Sequence, residues 1–182
     1  GQNEGKASIE GVAVGIQMRS ESMANIYGSL VINAQEGGIT TFNGGTFFLT
    51  LSAGGKVAVA EGAAAISLSD GGEGFISSST ADVSIDGNIN LNNSSLHISG
   101  STVISDSARI DVWFGSNLKI LNDNSGISSD RISCTGPSFT AVNGLSMNNN
   151  NGNGCLDQPS WKVLIDSVLP PSLRLLLLHW LL

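Results

Sequence analysis

Six aspartates in one part of the chain, Asp82, Asp86, Asp106, Asp111, Asp123 and Asp130, come nearest to chemistry by type and spacing. Asp86 and Asp106 are 20 residues apart, and Asp106 and Asp130 are 24 apart. In a chain that coils with a period near those values they would lie roughly above one another. Stacked carboxylates raise one another's pKa or recruit a cation, the starting point for acid–base work or calcium binding. The competing reading is turn chemistry, because "SDG", "IDG" and "SDS" are contexts in which an Asp side chain bonds nearby backbone. Turn chemistry is favoured, so no catalytic, cofactor-binding or metal-ligating residue is assigned, and the chain is not expected to be an enzyme.

Other reactive types fare no better. His97 falls between Leu96 and Ile98, on the outward side of an alternating strand, with no Cys, His or carboxylate beside it; His179 lies in an apolar tail. "GGEG" and "GGIT" lack the strand-to-helix setting of a phosphate loop and read as turns. "TTFNGGTFFLT" is dense in Thr but does not recur, so a flat ice-binding Thr ladder is not expected. Overlapping sequons make Asn92 and Asn93 glycosylation candidates, in an Asn-rich stretch where chance also produces them.

The two cysteines, Cys134 and Cys155, lack zinc-ligand company. A disulfide between them would close a turn-rich loop of twenty residues, worth about 3 kcal/mol in the chain-entropy model. It would also point to an oxidising compartment. The alternative is two unpaired thiols acting as small hydrophobes.

Composition narrows the class. The 182 residues make one domain the default. Charged residues are 13% of the chain, about half the usual share of roughly 25%, and Gly, Ser and Asn take their place. Such a surface suits turn-rich β structure rather than exposed helices. The net charge of −7 and eight scattered basic residues argue against nucleic acid as a partner. No apolar run reaches the length of a membrane-spanning helix; no signal peptide is visible, and a chain beginning "GQNEGK" reads as either already processed or a fragment.

The elements that would position any site are short strands. "KVAVA", "AISLS", "GFIS", "DVSID", "NINLN", "SLHIS", "TVIS", "RIDVW", "LKIL", "GISS" and "RISC" alternate apolar and polar between turn residues. A longer period overlies this one. Ile66, Ile89, Ile110 and Ile132, with Leu68, Leu91, Val112 and Cys134 two residues on, are separated by 23, 21 and 22. Ile76, Ile98 and Ile120 recur at 22, and Val59, Val83, Ile104 and Ile127 at 24, 21 and 23. Three series with one period predict an all-β fold, a β-solenoid of about 22 residues per turn and four to six turns, with three short strands stacked in parallel per turn. An antiparallel sandwich or jelly roll is the alternative. Low charge agrees with stacking, since like positions about 4.8 Å apart would repel if charged. The divisions are 1–27 as cap or lead-in strands, 28–134 as repeats, 135–160 as an Asn/Gly-rich loop and 161–182 as an apolar tail.

"DGNINLNNSSLHISGSTVISDSARIDV" resembles the repeats of filamentous-haemagglutinin-type and autotransporter passenger domains, within the right-handed parallel β-helix superfamily. The resemblance covers roughly residues 55–134 and rests on pattern, "GNINLNNSSL", rather than on a functional motif. It implies a right-handed coil, secretion, and a rigid rod with adhesive or surface-structural work. The pectin-active relatives' Asn-Thr-Asp, Asp-Asp, Gly-His-Gly and Arg-Ile-Lys signatures are absent, and "RID" at Arg109–Asp111 is the nearest approach.

In the tail, Pro170-Pro171 precede Leu173, Leu175, Leu176, Leu177, Leu178, Trp180, Leu181 and Leu182, broken only by Arg174 and His179. That segment reads as an end cap or subunit contact, with part of a membrane or lipid anchor as the alternative. Apolar residues near both termini lead to an expected extracellular or cell-surface structural or adhesive protein, self-assembling end to end into a fibre. A carbohydrate-binding or carbohydrate-active protein, with a cell-surface or polysaccharide partner, is the alternative. No cofactor is expected.

Overall fold

The structure, a computed structural model, describes residues 6–52, 54–78, 83–121, 127–135, 138–142 and 155–157. Alternating residues with small turn formers between them leave each strand one apolar face to bury, and no single coil can bury it alone. The chain meets this demand as a parallel β-solenoid of about five turns of about 23 residues. Its strands are β1 (Lys6–Arg19), β2 (Met23–Phe42), β3 (Thr46–Leu51), β4 (Lys56–Val59), β5 (Ala64–Ser69), β6 (Glu73–Ser78), β7 (Ser84–Asp86), β8 (Asn88–Asn92), β9 (Ser95–Gly100), β10 (Val103–Ile104), β11 (Ile110–Trp113), β12 (Asn117–Leu121), β13 (Ile132–Thr135), β14 (Ser138–Val142) and β15 (Cys155–Asp157). A single 3-10 turn covers Ser129–Arg131 among the described residues, where "GISS" suggested a strand. Every pairing among them is parallel.

Three faces result, each with an inward ladder. On face one, Ile16, Ile39, Ile66, Ile89, Ile110 and Ile132 stand in register. On face two the ladder is Ile26, Leu49, Ile76, Ile98 and Ile120. On face three it is Ile9, Ile32, Val57, Ile85 and Ile104. Pairing begins at Lys6, so β1 is itself a rung of the coil, and β2 bends through all three faces.

The fifteen residues of the three series are buried, with the exception of Val59, which is partly so. The face-three register differs from the sequence reading. Val59 pairs with Ala34, Val57 stands over Ile85, and Ile85 stands over Ile104. The cause is corner length. From face three to face one the chain uses nine residues after Val57 but four after Ile85, so a fixed period slips there.

The corner from face one to face two is regular. Asn43–Gly44 and Asp70–Gly71 adopt positive φ in successive turns, a conformation cheap only for Gly and tolerated by Asn and Asp. Their backbones bond up the stack, Gly44 N–H to Asp70 O at 3.0 Å and Gly71 N–H to Asn93 O at 2.7 Å. Small residues follow on the inner side. The Ser94 hydroxyl, buried there, donates to the Leu68 carbonyl at 3.1 Å.

Candidate functional site

The aspartates do not gather. Asp86, on β7, lies 3.7 Å from Lys56 on the same face, and its neighbour in the next turn is Ser105, not Asp106. Asp106 projects into solvent from a corner, 3.8 Å from Arg131. Asp130 is exposed in the 3-10 turn, where the Ser128 hydroxyl, the backbone amide and Arg131 hold its carboxyl below the ordinary value. Asp111 belongs to face one; Asp82 and Asp123 lie outside the described residues. Similar spacing failed to stack them because unequal corners shift the register between turns. Among the described residues no three His, Cys, Asp or Glu side chains converge on a metal-sized site.

Arg131 has a structural task. Its guanidinium is mostly buried and donates to two carbonyls of the preceding turn's corner, Ala108 O at 2.9 Å and Ser105 O.

His97 faces outward on β9, as the alternation of Leu96 and Ile98 requires. It is half-buried in a column that runs Asn25, Phe48, Phe75, His97 and Lys119 across successive turns. The rings of Phe48 and Phe75 stack at 4.8 Å, and His97 meets Phe75 edge-on at 6.3 Å. Burial, and secondarily the Lys119 ammonium, push the imidazole pKa down. Its Nε2 is buried without a hydrogen-bond partner among the described residues. Stacked rings turn their edges rather than their faces to solvent, so this column consolidates face two more than it offers a platform.

Asn92, the last residue of β8, and Asn93, in the corner that follows, are both exposed. Cys134 is buried on β13 and disulfide-bonded; the chain's other cysteine, Cys155, begins β15. His179 and the tail residues Leu173, Leu175, Leu176, Leu177, Leu178, Trp180, Leu181 and Leu182 lie outside the described residues.

Two outward columns of face one were not read from the sequence. One runs Gln17, Thr40, Ser67, Asn90, Asp111 and Ser133, with a single charge in six rungs. The other lies three residues beyond the Ile ladder: Arg19, Phe42, Ser69, Asn92, Trp113 and Thr135. Between Phe42 and Trp113 lies a shallow groove of about 280 Å³, lined by Ser67, Ser69, Asn90, Asn92 and Asp111. Trp113 is 52% exposed. Extending the Ile66–Ile89–Ile110 register by three positions would have found this column. A larger groove at the face-three corner, about 430 Å³, is lined by Glu61, Asp86, Asn88 and Arg109. There the Asn88 amide donates to Gly62 O and its carbonyl accepts from the Arg109 N–H, so the corner uses it structurally.

No protein-family model, curated protein or solved structure matches the chain. The fold is therefore a parallel β-solenoid established by its own pairing, with no narrower kinship shown. No helix among the described residues is long and apolar enough to cross a membrane.

Proposed function

We propose that the chain is a rigid structural or adhesive module of an extracellular surface, stacked end to end into a fibre. The observation that carries this reading is the nearly uncharged outer column of face one, hydroxyl and amide side chains from Gln17 to Ser133 with one carboxylate, Asp111, among them. A surface built this way suits packing against neighbours better than a highly charged one does. A second feature supports stacking. In the first turn Ile9, Val12, Ile16 and Ile26 are only partly buried, and among the described residues β1 pairs with β2 alone, so its other edge has no described strand partner.

The reading assigns the chain no reaction and no cofactor. Extracellular placement is supported by the disulfide-bonded state of Cys134, since such bonds persist in oxidising compartments. The test is sedimentation and negative-stain electron microscopy of the full chain over a range of concentrations. Rods many times the length of one coil are expected; a monomer at every concentration overturns the fibre.

A further inference from the structure

We propose that the face-one groove between Phe42 and Trp113 binds an uncharged oligosaccharide. This rests on the adhesive part of the reading above and is independent of end-to-end stacking. Phe42 and Trp113 occupy one outward column three turns apart, about 14 Å along the coil axis. Ser69 and Asn92 fill the two rungs between them, and Asn90 and Asp111 flank them in the adjacent column.

Each part matches sugar chemistry. A pyranose ring has an apolar C–H face that packs on an aromatic side chain, and Trp113 offers a large one in solvent. Its equatorial hydroxyls need donors and acceptors together, which Asn amides and Ser hydroxyls supply. The Asp111 carboxylate accepts from hydroxyls only. No Lys, Arg or His lines the groove itself, where Asp111 would repel a uronate, sulfate or phosphate; the nearest cation of the column, Arg19, stands one rung beyond Phe42. A single carboxylate is too little for a metal ion. The Asn92 rung between the aromatic residues also disfavours an apolar peptide, which would leave its amide unpaired, whereas Ser69 already donates to the Thr41 carbonyl. The coil fixes both ends of the groove on paired strands, so little ordering is required on binding.

The test is calorimetry of the full chain, made in a host that does not glycosylate Asn92, against linear neutral tetrasaccharides of glucose, mannose and N-acetylglucosamine. Tetragalacturonate serves as the charged comparison. Saturable binding of at least one neutral probe is expected, weakened roughly tenfold or more by Trp113→Ala and several-fold by Asn92→Ala. Tyr27→Ala, which removes an aromatic side chain 71% exposed on face two, should leave binding unchanged. No binding of any neutral probe, tighter binding of the galacturonate, or indifference to Trp113→Ala would each overturn the proposal. Electron microscopy of the Trp113→Ala protein separates the two readings. Fibres that persist while binding is lost place the site apart from the stacking contact; fibres lost with binding place Trp113 in that contact and overturn the saccharide site.

Discussion

The Phe47 ring occupies the space that any side chain at Gly74 would need. A Cβ on Gly74 would stand 2.5 Å from Phe47 Cζ and 2.9 Å from Leu96 Cδ1. The three residues are successive rungs of one inward column on face two, so a large, an absent and a medium side chain share the space of three. Gly74→Ala is expected to cost about 1–3 kcal/mol through overpacking. Phe47→Leu should recover part of that loss in the double variant, although it is destabilising alone. A urea-denaturation cycle measures the coupling, and strictly additive effects would show that the ring does not fill that space.

Thr41 replaces an aliphatic residue in the column Met18, Thr41, Leu68, Leu91. It is fully buried, and its Oγ1 has no hydrogen-bond partner among the described residues. Thr41→Val keeps the shape and removes an unpaired hydroxyl, so a gain of about 1 kcal/mol is expected. A lower unfolding midpoint would mean that the hydroxyl is satisfied.

Two interactions of Arg131 separate by magnitude. Its ion pair with Asp106 involves a fully exposed carboxylate, which solvent screens, so it contributes little. Its bonds to the Ser105 and Ala108 carbonyls come from a mostly buried guanidinium, and each such charged bond contributes about 1.5–3 kcal/mol. Arg131→Met should therefore lower stability clearly while Asp106→Asn leaves it nearly unchanged, as read by thermal unfolding.

Acid should weaken the fold through His97. Burial, aided by Lys119, lowers its folded pKa, whereas the unfolded chain titrates near the ordinary value of about 6.5. Below that value the unfolded state binds the additional proton, so stability falls with pH until the folded pKa is passed. Asp130 acts in the same direction at lower pH, where protonation ends the hydrogen bond from Ser128. Thermal midpoints measured from about pH 8 to pH 5 should decline, and His97→Phe should flatten the part of the decline near pH 6.5. An equal slope in the variant would contradict the assignment.

Much of the fold was legible because parallel stacking repeats one physical demand. The Ile66, Ile89, Ile110 and Ile132 series and the Ile76, Ile98 and Ile120 series were read in their true register, since faces one and two keep nearly constant corner lengths. Face three was misaligned because its corners vary, and counting residues cannot see a long corner followed by a short one. The groove at Trp113 was missed for another reason. Its parts are ordinary Ser, Asn and Asp side chains, and only the register shows that Phe42 and Trp113 share a column.

Cys134 and the chain's other cysteine, Cys155, would together close a loop of twenty residues. Without reductant neither should react with a maleimide in the unfolded chain. Reduction is expected to cost on the order of 3 kcal/mol of stability.

The register itself is open to direct measurement. Spin labels at Gln17 and Ser133 would sit on one outward column of face one, five turns apart, about 24 Å along the axis. Moving the first label to Thr40 and then to Ser67 should shorten the distance by one rung each time, about 4.8 Å per step, as read by pulsed electron resonance. Equal steps are the result expected of a parallel coil with these ladders. Distances that change irregularly or fail to shorten would mean that the columns do not exist.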